Sequence, residues 1–180
     1  MSERGQFGWG ALFSAAVEFD IVHEFAAHPD RVAAALLDLE YQSSLGTLGP
    51  LKERAVLDQS DGSDGLVTRR IRSVLDIQLP RPARAFIGDG DPAWVEESTW
   101  EPHTLSWKWV IVPEVAREIL TASGETHLKE GGAGTVRHIF GSVRVGVPFY
   151  GGKVEALIID GFERTYDEEA VRLAIWLRAA

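Results

Sequence analysis

The fold is decided by residues 145–179, V-G-V-P-F-Y-G-G-K-V-E-A-L-I-I-D-G-F-E-R-T-Y-D-E-E-A-V-R-L-A-I-W-L-R-A. Pro148 cannot donate to a sheet ladder, so a strand ends near it, and Gly151 with Gly152 permits a tight turn into a helix. A helix over about 152–178 would be roughly 40 Å long. Its apolar residues recur at steps of three and four and form one stripe: Val154, Leu157, Ile158, Phe162, Tyr166, Ala170, Leu173 and Leu177.

The segments before this helix predict the long surface on which its stripe packs. A first strand is expected at 17–27, followed by short helices at 28–38 and 39–48. A proline-rich loop at 77–92 is expected to hold one helical turn at 83–87. Six more strands are expected between turn signals, at 51–57, 66–76, 93–100, 105–112, 117–129 and 135–147. The predicted fold class is α+β: a curved antiparallel sheet of about seven strands wrapped around the C-terminal helix, leaving a space between them.

The composition is that of one globular domain. The chain has 180 residues, of which 45% are apolar and 25% charged, with a net charge of −9. We expect a single domain at 16–180 and an N-terminal extension at 1–15 that is ordered only if it packs on the domain. The acidic balance argues against nucleic acid as a partner. No stretch reaches the ~20 apolar residues of a membrane span. The lack of cysteine fits a cytoplasmic location and excludes disulfides; monomer and homodimer both stay open.

Two motifs carry a resemblance to a known family. F-A-A-H-P-D-R-V-A-A-A-L-L-D at 25–38 opens the domain and V-P-F-Y-G-G-K-V-E at 147–155 closes it, with a tryptophan-rich strand pair between them. With the element order, they resemble the START-like, or polyketide cyclase/Bet v 1-like (SRPBCC), superfamily, and within it the bacterial family called domain of unknown function 2505. The resemblance implies a helix-grip fold whose cavity binds apolar or amphipathic small molecules. It carries no catalytic residue to any position of this chain.

Large aromatic side chains are the first candidates for a cavity wall. Trp94 and Trp100 are six residues apart in one expected strand and share a face, and Trp107 shares a face of the next strand with Trp109. Pointing inward, they would line a small-molecule cavity. The alternative is that they fill a core, which is the commoner use of tryptophan in sheets. The other wall candidates are Arg70, His138, Phe140, Leu157 and Phe162.

The polar residues allow two interpretations. Arg70 and Arg72 share one face of an expected strand, and Arg69 lies on the other. An inward arginine could clamp a carboxylate or phosphate, whereas outward arginines would solvate the sheet, which is the favoured interpretation. His138 could act as an acid or base in the cavity or be a structural histidine. The five histidines show no metal-ligand spacing, so no metal and no cofactor are predicted.

Three functions are compatible with these features. The leading hypothesis is a binder of a hydrophobic or amphipathic small molecule, such as a lipid or polyketide-like compound, with no assigned reaction. The second is a cyclase- or hydratase-type enzyme in which His138, Arg70 or Glu97 would act as acid or base. The third is a protein-interaction module, as co-chaperone relatives of the same fold suggest, which predicts a contiguous exposed apolar patch.

Overall fold

A seven-stranded antiparallel sheet curves around one long helix in the computed structural model, which describes residues 15–76, 84, 88, 90–147 and 150–179. The strands are β1 (Val17–Phe25), β2 (Leu51–Asp61), β3 (Val67–Leu75), β4 (Ala93–Glu101), β5 (Ser106–Pro113), β6 (Leu120–Gly131) and β7 (Gly134–Val145). The helices are α1 (Pro29–Leu37), α2 (Leu39–Ser44) and α3 (Gly151–Ala179). The strand order is β1-β7-β6-β5-β4-β3-β2, so the first strand pairs with the last. The predicted element order and fold class are confirmed.

Several element ends differ from the sequence expectation: α2 ends at Ser44 rather than Leu48, β6 begins at Leu120 rather than Arg117, and β2 is longer than predicted. The turn signal after Leu57 predicts that β2 ends there, but the strand continues to Asp61. A register shift between Val56 and Asp58 precedes this polar segment, which stays paired with β3 through Asp61. The turn is thereby reduced to a short loop in which Gly65 has a φ of 84°, a conformation that favours glycine. The expected helical turn at 83–87 and extension at 1–15 lie almost entirely outside the described residues.

The two short helices close one end of the sheet. Pro29 occupies the first turn of α1, and the Asp38 carboxylate accepts a hydrogen bond of 2.8 Å from the Tyr41 backbone N–H to cap α2. Their apolar faces form a core with the end of α3, and we call this group the closed-end core. Its members include Val32, Leu36, Tyr41, Leu45, Trp100, Trp107, Leu173 and Leu177.

The first half of α3 packs differently from the second half. Its apolar side chains face a second core on β1, β5 and β7 that includes Phe19, Ile139 and Val143. The Glu155 carboxylate, which is fully buried, accepts a hydrogen bond of 2.7 Å from the Val145 backbone N–H. This bond ties the start of the helix to the end of β7. No helix within the described ranges combines the length and apolar character that crossing a bilayer demands.

Candidate functional site

A cavity of about 210 Å³ lies between the inner face of the sheet and α3. Side chains alternate between the two faces of a strand, so every second residue of β3 to β7 points at this space. Val115 and Leu157 line the cavity and are exposed, which places its opening where β5 leads into β6 and the first half of α3 passes. Most of the wall is apolar, including Leu51, Ile71, Ala93, Ile111, Ala122, Ile139, Val154, Ile158 and Phe162.

The four tryptophans all lie on the inner face, but in two environments. Trp94, Trp107 and Trp109 line the cavity. Trp100 is paired opposite Trp107, and their ring centroids are 4.0 Å apart. Trp100 is buried in the closed-end core, because α1 and α2 fill the space at that end of the sheet. The structure therefore places three of the four tryptophans on the cavity wall and one in the core behind it.

The position of Trp109 depends on two glycines. Gly124 and Gly141 face each other across the β6–β7 ladder. A Cβ atom on Gly124 would lie 2.4 Å from the Trp109 ring, and one on Gly141 would lie 2.9 Å from it. The missing side chains make room for the indole, which also stacks against Phe19 with ring centroids 6.0 Å apart. The neighbouring glycines thus set one wall of the cavity.

Three of the wall candidates lie on the outer face of the sheet, away from the cavity. Arg70 donates to Asp58 at 3.1 Å and lies 3.6 Å from Glu97. The His138 ring lies beside Phe140, with centroids 4.9 Å apart, and contacts a carboxylate of β1. Their partners are all at outward positions of neighbouring strands, so cross-strand pairing accounts for them. Leu157 and Phe162, in contrast, lie on the cavity wall.

Arg69, which the strand alternation places on the face opposite Arg70, is the arginine of β3 that enters the interior. It is only 8% exposed, and it lines the cavity. Its guanidinium donates to the Leu36 carbonyl at 2.7 Å, near the C-terminus of α1. The sequence indicates this only through spacing: Arg69 is two residues from Ile71 and four from Ser73, so it shares their face of the strand, and both are buried. That signal was weak because both faces of β3 carry arginines.

A buried ion pair joins the sheet to α3 beside the cavity. Arg137 on β7 is 1% exposed and donates to the Glu169 carboxylate at 2.7 Å. It also donates to the Tyr166 carbonyl at 3.3 Å, and it lies 3.2 Å from Nδ1 of His23. Nε2 of His23 lies 2.9 Å from Asp167. Burial and the adjacent guanidinium lower the pKa of His23, which favours a neutral ring that accepts at Nδ1 and donates at Nε2.

Two further polar side chains face the cavity. Glu96 on β4 and Tyr166 on α3 both line it. Among the described residues, no ion pair joins Glu96 to Arg69 or Arg54, the two guanidinium groups whose charge acts on its carboxyl. Burial raises the pKa of Glu96, and the guanidinium of Arg69 opposes that shift. Burial also raises the pKa of Tyr166, so its hydroxyl stays protonated. Sequence reasoning did not select either residue as a cavity candidate.

The described part of the chain contains no group of three side chains placed to hold a metal ion. The cavity has two parts. An apolar wall lies near its opening, and a polar part surrounds Arg69, Glu96, Tyr166 and the Arg137–Glu169 pair. An apolar wall with a few polar groups is the usual construction of a small-molecule site.

Comparisons with known proteins agree with this architecture. The model of the family described as Protein of unknown function (DUF2505) matches residues 20–177, so the chain belongs to that family. A crystal structure of TTHA0849 from Thermus thermophilus is similar, with 19% identity and a TM-score of 0.62, over 92% of this chain and 98% of that one. No curated protein sequence matches the chain.

Two other solved structures are similar to the chain, and one of them is described as a START superfamily protein. The Zhui aromatase/cyclase from Streptomyces sp. R1128 is 15% identical with a TM-score of 0.59, over 91% of this chain and 93% of that one. A START superfamily protein from Mycobacterium smegmatis is 14% identical with a TM-score of 0.56, over 92% of this chain and 99% of that one. At these identities the likeness is one of fold, and the chain has the START-like helix-grip fold.

Proposed function

We propose that this member of the DUF2505 family binds a hydrophobic or amphipathic small molecule, such as a lipid or a polyketide-like compound, in the cavity between the sheet and α3. The observation that carries the proposal is the cavity of about 210 Å³ with a mainly apolar wall and an opening to solvent. Transfer of an apolar ligand from water into such a space is favourable by about 25 cal/mol per Å² of buried apolar surface.

The residues proposed to contact the ligand are those on the wall. Trp94, Trp107 and Trp109 supply flat aromatic surfaces on the sheet side, and Leu157 and Phe162 supply the helix side. Aromatic rings give large contact area with few rotatable bonds, so little conformational entropy is lost on binding. The wall candidates on the outer face, Arg70, His138 and Phe140, and the core residue Trp100 are not part of this proposal.

Native mass spectrometry of the purified protein, followed by organic extraction and mass analysis of the extract, tests the proposal. We expect a discrete retained compound that is apolar or amphipathic. Trp109→Ala should reduce its occupancy, whereas Phe140→Ala, an aromatic truncation on the opposite face of the sheet, should leave it unchanged. Equal occupancy in the two variants, or failure of the protein to bind any apolar probe, would contradict the proposal.

A second candidate, a cyclase- or hydratase-type enzyme, is favoured by one observation. Glu96 and Tyr166 face the cavity, and their pKa values are raised by burial, as is common for acids and bases at active sites. The Streptomyces neighbour is described as an aromatase/cyclase. The groups that the sequence suggests for this role, His138, Arg70 and Glu97, lie on the outer face. This candidate predicts extracted compounds that differ in mass by one water and whose ratio changes in Glu96→Gln.

The same mass spectrum tests the protein-interaction hypothesis, because a co-purifying polypeptide would favour it over a ligand. Exposed large apolar residues are distributed over several elements, and Val171 and Ile175 on α3 are one helical turn apart.

A further inference from the structure

We propose that the cavity selects a ligand that carries a single terminal carboxylate on an apolar body, and that Arg69 binds that carboxylate. This inference rests on the proposed function, because it assigns the chemical class of the ligand in the same cavity. It is based on which hydrogen-bond and ion-pair partners the charged groups around the polar part of the cavity have.

The Arg69 guanidinium is buried without a full counter-charge. Among the described residues, no carboxylate lies within ion-pair distance of it, and its one hydrogen bond goes to the Leu36 carbonyl at 2.7 Å. The Nε atom of Arg69 is buried without any acceptor in the part of the chain described. The C-terminus of α1 supplies only about half a negative charge. Burial lowers the pKa of Arg69, but a guanidinium remains protonated in proteins.

The neighbouring charges do not compensate Arg69 either. Arg54 is a second cation on the cavity wall, and it donates to the Gln42 backbone carbonyl at 3.2 Å and to the Gln42 amide oxygen at 2.7 Å. Glu169 is occupied by Arg137 at 2.7 Å. Glu96 is the remaining carboxyl group there, and burial favours its neutral form. Even with Glu96 ionised, the three guanidinium groups of Arg54, Arg69 and Arg137 outnumber the two carboxylates of Glu96 and Glu169 on the cavity wall.

A ligand carboxylate would correct this imbalance. Two oxygens of a carboxylate match the planar fork of a guanidinium, and such bonds are about twice as strong as neutral hydrogen bonds. The hydroxyl of Tyr166 faces the same space and can donate to the same head group. The apolar wall toward Leu157 and Val115 would then cover the body of the ligand. A second negative charge on the head group would lie beside Glu96 and Glu169 and would exceed the one uncompensated guanidinium, so a single carboxylate is favoured.

Isothermal titration calorimetry at pH 7.5 with octanoate, 1-octanol and octylammonium tests the proposal. The three probes share one apolar chain and differ in the charge of the head group. We expect octanoate to bind at least about tenfold more tightly than 1-octanol, and octylammonium to bind most weakly. The ratio of the alcohol and acid dissociation constants is the readout, because a partly unfolded preparation lowers the binding of both probes equally.

Adjacent residues on opposite faces of the sheet provide matched variants. Arg69→Met should reduce the ratio to about one, whereas Arg70→Met, on the outer face of the same strand, should leave it unchanged. Glu96→Gln removes a potential negative charge from the cavity and should keep or increase the ratio, and Glu97→Gln is its outer-face control. If Arg69→Met does not fold, Arg69→Gln retains a donor for the Leu36 carbonyl and tests the same charge.

The results separate this inference from the proposed function. Tighter octanoate binding that is lost only in the Arg69 variant supports both. Equal binding of acid and alcohol by the wild type, or an unchanged ratio in Arg69→Met, overturns the carboxylate inference while leaving an apolar binding cavity intact. A Glu96→Gln variant that loses the preference would assign recognition to the carboxyl group and also overturn it. Binding of none of the probes, with no retained compound, overturns the proposed function itself.

Discussion

Replacing Glu169 by glutamine tests whether the ion pair with Arg137 holds α3 against the sheet. The two side chains are 10% and 2% exposed, so the pair is buried. Removing one partner of a buried pair leaves an uncompensated charge and costs about 3–5 kcal/mol. In Glu169→Gln, Arg137 keeps the Tyr166 carbonyl at 3.3 Å and lies over the rings of Phe25 and Tyr166 at 5.4 and 5.9 Å.

These remaining contacts place the expected cost at the low end of that range, about 3 kcal/mol. For a domain of this size, 1 kcal/mol lowers the melting temperature by about 2–4 °C, so Glu169→Gln should lower it by about 6–12 °C. Differential scanning calorimetry measures the melting temperature, and urea unfolding followed by circular dichroism measures the free energy of unfolding.

A matched control lies on the solvent side of the same helix. Asp160 and Arg164 form an i,i+4 pair whose side chains are 56% and 60% exposed. Asp160→Asn should cost at most about 0.5 kcal/mol. The double variant Arg137→Met/Glu169→Leu should be more stable than Glu169→Gln, because it leaves no buried charge. If Glu169→Gln lowers the free energy of unfolding by no more than Asp160→Asn does, the reasoning is refuted.

Three further predictions concern packing, pH and the cavity wall. Gly141→Ala should destabilise the protein by about 1–3 kcal/mol, since the new Cβ would lie 2.5 Å from a β6 carbonyl and 2.9 Å from Trp109; Gly46→Ala, where nothing lies within 4 Å of the new Cβ, is the control, and equal stability of the two variants would contradict this. The lowered pKa of His23 means that the unfolded chain binds its proton more readily than the folded protein does. Stability from this residue is therefore present above the unfolded pKa of about 6.5 and falls as pH falls below it. Urea unfolding of wild type and His23→Gln between pH 7.5 and 5 measures how the free energy of unfolding changes with pH. This change should be smaller in the variant, and an identical change in the two proteins would rule the assignment out. The charged groups around the ring are Arg137, Asp167 and Glu169. Trp109→Ala should cost about 3–5 kcal/mol of stability through the space left in the core, measurable by urea unfolding, and a loss below about 1 kcal/mol would show that the site collapses around the smaller residue.

Much of the fold was predictable because its signals are local. The stripe on α3, the two glycines at its start and the strand alternation depend on residues close in sequence. These signals also establish which residues share a face, so Trp107 with Trp109, and Arg70 with Arg72, were correctly grouped. The length of β2 was mispredicted, because its end is decided by pairing of residues 58–61 with β3 rather than by its own polar sequence.

The candidate site was less predictable, because it is made of contacts between distant strands and the helix. In β3, arginines occur on both faces, so the sequence offers no preference for the buried side, and only packing against α1 places Arg69 inside. Glu96 lies two residues after Trp94, on the same inner face of β4. The desolvation cost of a carboxylate would ordinarily exclude it from such a position. Its position opposite α3 arises from the register of the whole sheet.

The order of the elements, the helix-grip architecture and the grouping of side chains into faces follow from the amino-acid sequence, since hydrophobic period and turn chemistry act over a few residues. Three features depend on the assembled fold instead: which face became the interior, the burial of Trp100 by α1 and α2 while Trp109 lines a cavity, and the placement of Arg69 and Glu96 on the same cavity wall. The physical reason is that burial, charge compensation and cavity volume are properties of surfaces brought together from distant parts of the chain.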